Sequence, residues 1–593
     1  MTPDFAAVLL AYAVQGAGLL ALFAAGAAAA RRLGADGPAP ALWGFCAAAL
    51  AGYATFYAFL PGWRPGYAAC GLVAALAASS LVLNRRHLRG GDLLAPALSL
   101  SAGLLYLAVA HLGVKSFAGD LQASLAFERT MPYDDRIPLL FAEAVFHRLP
   151  SRTGPDAFGW YFSDRPPLQA GFVLLFSPLW RAVDPELAYR ALGTALQALA
   201  VGSTWLLCRA LGFGRGEARF ATLAFALSGF SYYESVYAWP KLLAAAFLFV
   251  GCAALGPALL ARRRAGRGEA LLFGLGTGLA LLSHGAVAFA VIPLALMVAA
   301  ARLLDLRGAL LAAGAVLCLH APWSAYGRFV DPNDGRLIRM HLTDTDYDAK
   351  GPLLDAFRAS YSKLTPGAWI EGRIENLELL WGEADLDALV GRLVAGLRDE
   401  RLRVPLVDGD NTWAVTPSKL RYDLVSLGTA LRVDQTVHVF RALGLFNLAW
   451  PLLLLLVVPR VARTVLDRGF VALTALTALS CLCFATLEFG YGTVTVHGSY
   501  SIVAGLFVVA AVPMFRAWRR GAWWVFGANA ALTLLVWVVS APGAVLEPVR
   551  RVQPAAALAA LAGLALVVAL SGRAPAEEGT GEATGEASGE AAR

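Results

Sequence analysis

The sequence predicts an all-α polytopic membrane protein, and three observations predict it. Of 593 residues, 58% are hydrophobic and only 15% charged, with a mean hydropathy of +0.60. A soluble chain of this size has no means of burying so much apolar surface. Long apolar runs recur from end to end, many near the ~20 residues that cross ~30 Å of hydrocarbon. A β-barrel would show short alternating segments instead. Basic residues, finally, gather in alternate connections between the runs, as they do in helical membrane proteins.

The runs give about fifteen spans: 5–30, 41–60, 66–83, 93–113, 187–208, 219–238, 241–261, 269–284, 286–303, 308–323, 441–459, 469–488, 497–515, 522–541 and 554–571. The first lacks a basic leader and is too long for the apolar core of a signal peptide, so it is a span. Arg31-Arg32, Arg85-Arg86, Arg209, Arg215, Arg262–Arg264, Arg302, Arg307, Arg460, Arg463, Arg516, Arg519 and Arg520 fall in alternate connections. The positive-inside rule makes these cytoplasmic, with the N-terminus outside and the C-terminus inside. Arg550-Arg551 breaks the pattern, because 542–553 then falls outside. The net charge of +7 is accordingly a topology signal and points to no nucleic acid. All seven cysteines lie in apolar spans and no CxxC occurs, which predicts neither disulfides nor a cysteine zinc site. Alanine and arginine richness is that of a GC-rich bacterial genome, which places the chain in a bacterial cytoplasmic membrane.

The segment "LQAGFVLLFSPLW", 168–180, is too short to cross and would invert the arginine pattern if it did. It predicts a helix lying at the outer surface. Residues 114–186 then form one long external loop, and "SDRPPL", 163–168, marks its contact with the membrane. Other unusual polar residues fall on the same face. Asp134-Asp135 stand in "TMPYDDRIPLLFAEAV". Glu234 and Lys241 stand in "YYESVYAWPKLL". His284 sits in the tight turn "LLSHG", and His320 and Trp323 in "LHAPW". Ionisable groups at membrane depth are costly and usually face a cavity or a partner.

Each has a plainer explanation. Asp134-Asp135 suit the N-terminus of a helix beginning near Ile137-Pro138. Asp164 and Arg165 make a structural ion pair. Lys241 snorkels to the interface, and His284 and His320 satisfy local backbone. Their common face and order favour a site.

That order resembles the membrane-embedded glycosyltransferases of the GT-C class. It is most similar to those that move a sugar from a polyprenyl phosphate, such as lipid A aminoarabinose transferases and protein O-mannosyltransferases. There a first external loop carries an acidic pair and ends in a Lys-Pro-Pro-Leu type step; "DDRIPLLFAEA" and "SDRPPL" look like both. The similarity covers about residues 95–330. Arg165 and His284 stand where lysine is common, three extra spans come first, and no large folded domain follows the last span.

The resemblance implies a GT-C-like fold: three extra N-terminal helices in 1–92, a catalytic core in 93–323 with the external loop 114–186, and C-terminal spans in 441–572. It implies a polyprenyl-phosphate sugar donor and a cell-envelope acceptor. Asp134 matches the base, with Asp135 as its alternative. Asp164, Arg165, Glu234, Lys241, His284 and His320 bind substrate, with Arg165 and Lys241 holding the lipid phosphate. A divalent metal on Asp164 and His284 is the one cofactor it allows.

Residues 324–440 form a large polar external segment with helical patches such as 374–400. Its Asp-rich stretch 344–348 lacks EF-hand spacing and is a solvated loop. The acidic repetitive tail, 573–593, is predicted to be disordered. Two other function classes remain. A transporter or lipid flippase predicts inverted repeats broken at midplane, and no such hydropathy repeat is visible. A non-catalytic membrane scaffold would have no use for Asp134, Asp135, Asp164 and Arg165.

Overall fold

The computed structural model describes residues 3–114, 133–149, 162–332, 335–343, 351–381, 439–450, 466–489, 500–539 and 551–573. Among them the chain is helical, apart from one two-residue antiparallel pairing of Gly113–Val114 with Arg551–Val552. Among the described residues, ten helices are long and apolar enough to cross a membrane. The Asp-rich stretch 344–348, most of 382–438, the end of the 441–459 span and nearly all of the tail lie outside the described residues.

Helices α1 (Pro3–Arg32), α2 (Ala39–Phe59), α3 (Trp63–Asn84) and α4 (Leu94–Ala110) come first. The centre of the bundle is α7 (Pro185–Ala210), which packs against α1, α4 and α10 (Lys241–Leu260). Almost every α7 residue is buried, as expected of a helix covered by protein on all sides. Asp184 caps it, its Oδ1 accepting from Glu186 N at 2.9 Å, with Pro185 preset at the first position. Close helix approach relies on glycine. A Cβ on Gly202 would lie 2.2 Å from the Ala95 carbonyl oxygen of α4. Peripheral helices differ. On α3, Leu72, Leu76, Val82 and Leu83 point outward and are exposed, an apolar face that a bilayer would cover.

Ser228 divides the expected span 219–238. Its hydroxyl accepts from Ser231 N at 3.1 Å and caps a new helix, so the segment forms α8 (Arg215–Ala226) and α9 (Gly229–Val236). The 168–180 segment is also corrected. It is a short helix, α6 (Leu168–Leu175), followed by a 3-10 turn, but all eight helical residues are buried. A Cβ on Gly171 would sit 2.3 Å from the Gly52 carbonyl oxygen of α2, and Phe172 packs over Gly52. The segment is wedged into protein instead of lying on lipid, its one polar helical side chain, Gln169, bonding inside the protein.

The arginine-bearing connections meet one another. Arg31 pairs with Asp92 at 2.8 Å, and Arg516 binds Glu217 and Asp467. Arg468 donates to the Leu260 carbonyl at 3.1 Å. The pairing of Val114 with Arg551 places Arg551–Val552, at the end of the exceptional 542–553 connection, beside the end of α4.

Candidate functional site

The acidic loop is anchored from α7. Asp135 lies in a 3-10 turn, Tyr133–Arg136, ahead of α5 (Ile137–His147). It is fully buried, and its Oδ2 accepts from Arg190 Nη1 at 2.7 Å. Its backbone carbonyl accepts from the Tyr189 hydroxyl. Helix capping does not account for it, because α5 begins at Arg136 without a side-chain cap bond. The side chain of Asp134 lies outside the described residues.

A chain of buried polar groups runs from this loop to α10. The Tyr189 hydroxyl accepts from Gln169 Nε2 at 3.0 Å, and the same amide donates to the Ala238 carbonyl at 2.7 Å. Gln197 donates to Gln169 Oε1 at 2.9 Å and accepts from Leu243 N at 2.9 Å. The last bond satisfies one of the backbone donors that every helix N-terminus leaves open. Such networks define geometry when their members are satisfied. Here the geometry is that of the Trp-Pro-Lys turn. Ala238 holds φ +60°, a conformation that ordinary residues adopt rarely. Gly193 lets it approach, since a Cβ there would lie 2.6 Å from that of Ala238.

The turn presents Lys241. The residue is buried, with Nζ 3.0 Å from the Trp239 ring centroid and 4.7 Å from that of Tyr500, a cation over two aromatic faces. Glu234 on α9 is buried within electrostatic reach of Lys241 and Tyr500. His284 follows α11 (Arg267–Ser283) in an extended conformation. Its Nδ1 accepts from Ala286 N at 3.2 Å, which puts the proton on Nε2. Nε2 has no hydrogen-bond partner among the described residues. The ring meets Trp239 edge-on at 6.0 Å and feels the charges of Lys241, Arg165 and His341.

The "SDRPPL" step is pinned differently from its sequence expectation. Phe162 stacks on Phe141 of α5, with centroids 5.3 Å apart. Asp164 does not pair with its neighbour Arg165. It takes a two-pronged grip from Arg336, whose Nε lies 3.0 Å from both carboxylate oxygens. Arg165 is buried beside it. Pro167 is the N-cap of α6. Arg336 opens the amphipathic helix Arg336–Thr343, which also carries His341. His341 Nδ1 lies 2.9 Å from Oε1 of Glu488, itself buried at the end of the helix Arg468–Leu487.

Lys241 and His284 therefore meet on Trp239, with Arg165 within electrostatic reach of His284, Glu234 within reach of Lys241, and Asp135 joined to the turn through Tyr189, Gln169 and Ala238. His320 is not shown joining them: its Nε2 is 3.3 Å from the Gly278 carbonyl, a bond between neighbouring helices. The metal expectation fits poorly as well. Arginine occupies both oxygens of Asp164, and no three His, Cys, Asp or Glu side chains converge among the described residues.

Sequence reasoning missed Arg190, Tyr189, Gln169, Gln197, Arg336, His341, Glu488 and Tyr500. Arg190 had a usable signal, being an arginine several residues inside an apolar span. Glu488 had a weaker one, closing an apolar run. No protein-family model matches the chain, nor does any curated protein or solved structure.

Proposed function

We propose that this is an integral membrane glycosyltransferase of GT-C type, which moves a sugar from a polyprenyl-phosphate donor to a cell-envelope acceptor. The site faces the outside of a bacterial cytoplasmic membrane, with the N-terminus outside and the C-terminus in the cytoplasm. The observation that carries this reading is that Lys241 and His284 are buried against Trp239 with Arg165 within electrostatic reach of His284, and that a polar network runs from this turn to an acidic loop. Three donors suit an oxyanion that gains charge during reaction.

In the reaction, an acceptor hydroxyl oxygen attacks the anomeric carbon and the bond to the phosphate oxygen breaks. The bonding pair leaves on the lipid phosphate, where Arg165 meets it with a planar fork and Lys241 with a point charge. The hydroxyl proton passes to Asp134. Asp135, committed to Arg190, holds the loop that carries Asp134 and is a positioning residue.

Lipid-linked sugars extracted from cells with and without the protein test the reading. Loss of the protein should cause one polyprenyl-phosphate sugar to accumulate. Arg165→Lys should restore part of the transfer and Arg165→Ala little. An unchanged lipid-sugar profile, or full transfer by the alanine variant, would count against it.

Sidedness is tested separately with single cysteines at exposed positions. An impermeant thiol reagent added to whole cells should label Ala182→Cys and Gly285→Cys. It should spare Arg86→Cys, Arg264→Cys and Arg519→Cys until the membrane is opened. Labelling of both sets in intact cells would break the common-face placement.

A further inference from the structure

A cavity of about 820 Å³ opens where the α2–α3 turn, the end of α5 and the 3-10 turn Ser177–Arg181 meet. Its lining includes Arg64, Arg148 and Arg181, with His147, and no carboxylate among the described residues. The other walls are aromatic: Trp63, Tyr67, Phe146 and Trp180. None of these residues belongs to the Arg165–Lys241–His284 group. The eleven residues of α5, roughly 16 Å of helix, separate Arg148 from the turn that carries Asp135.

Two of the guanidinium groups lie against aromatic rings. Arg64 lies 5.3 Å from the Trp63 ring centroid and Arg181 5.4 Å from that of Tyr67. A ring under the flat face positions the cation and leaves its N–H edge for an oxygen acceptor. Among the described residues no carboxylate pairs with any of the three. The nearby acids are engaged elsewhere: Glu186 with Arg136 at 3.3 Å, and Asp184 in capping α7. Glu143 feels His147 and Arg136. The backbone makes room for Arg148 as well. A Cβ on Gly62, whose φ of +140° itself favours glycine, would lie 2.6 Å from an Arg148 guanidinium nitrogen.

Location selects the ligand. The cavity sits at the first turn of α3, the helix whose Leu72, Leu76, Val82 and Leu83 face outward. Trp63, half exposed at that turn, occupies the place where aromatic residues mark the bilayer interface. A ligand held here can send acyl chains down the apolar face of α3 while its head meets three arginines. The short turn 60–62 lies at the opposite end of α2 and α3 from Arg31-Arg32 and Arg85-Arg86. Arginine beside it runs against the usual bias in charge and needs a local reason.

We propose that this cavity binds the phosphate headgroup of an acidic phospholipid from the adjoining leaflet. The assignment does not rest on the transferase reading. The size is that of an ordinary ligand pocket, and paired arginine forks match phosphate oxygens.

The test uses the purified full chain in detergent micelles, with bound lipid counted by native mass spectrometry. Phosphatidylglycerol should be retained about tenfold more than phosphatidylcholine of the same chains. The triple variant Arg64→Gln, Arg148→Gln, Arg181→Gln should lose that preference while eluting as the same monodisperse species. If the triple variant fails to fold, the single variants Arg148→Gln and Arg181→Gln should each weaken retention, and lysine at either position should restore part of it. Glycerol 3-phosphate at millimolar concentration should not displace the lipid. Equal retention of the two lipids, or undiminished preference in the arginine variants, would overturn the proposal. Displacement by the soluble phosphate would reassign the site to a free anion.

Discussion

Asp134→Asn is expected to slow sugar transfer by about 10²–10⁴-fold, the usual worth of a positioned acid or base. Asparagine keeps the size of the side chain and removes its proton affinity. Donor lipid should still bind, because Arg165, Lys241 and His284 are untouched, so the loss should appear in turnover at saturating donor. Asp135→Asn should fail differently. The Asp135 carboxylate is fully buried against Arg190 at 2.7 Å, and neutralising it removes this close partner from a buried guanidinium that has Glu186 at 3.9 Å. Breaking a buried pair by removing one partner costs about 3–5 kcal/mol. The Asp135 variant should therefore lose thermal stability along with activity, and Arg190→Gln should lose it similarly. Near-normal transfer by Asp134→Asn, Asp135→Asn and the double variant would remove the acidic pair from the chemistry.

The difference between these two neighbours was not legible in the sequence. Acid pairs before a proline fit a helix N-terminus and an active site equally well, and the structural decision came from Arg190. That arginine sits in a segment whose apolar character hides it. Ten of the fifteen expected spans were legible because run length and hydropathy add over many residues, so a few polar groups do not disturb the sum. The same averaging concealed the break at Ser228, where one capping hydroxyl outweighs the surrounding apolar residues. It also misplaced α6. Apart from Gln169, which bonds inside the protein, its eight residues offer no polar face to water or lipid headgroups, which is the mark of a buried helix. The turns at Lys241 and His284 were legible as turns because Trp-Pro-Lys and Ser-His-Gly punctuate apolar runs. Their mutual approach depends on Gly193 and on two glutamines inside the bundle, and no local pattern announces that.

The pairing of Asp164 with Arg336 lies 172 positions apart in sequence and had no local signal at all. It fastens the "SDRPPL" step to the helix Arg336–Thr343. Both partners are buried, so Arg336→Ala should remove a buried ion-pair partner from Asp164 and destabilise this contact by about 3–5 kcal/mol. The expected readout is local: faster amide exchange across 335–343 and 162–168, with the α4–α7 core unchanged. Transfer should fall as well, because Arg165 follows Asp164 directly and His341 shares the helix with Arg336. Arg336→Lys should recover only part, since an ammonium cannot grip both oxygens as a planar fork does. The combined variant Asp164→Asn, Arg336→Gln removes both charges at nearly constant volume and should exchange more slowly than Arg336→Ala. That ordering separates a buried charge from a mere loss of packing. If the double variant and Arg336→Ala exchange alike, and both keep normal transfer, the fastening has no part in holding the site.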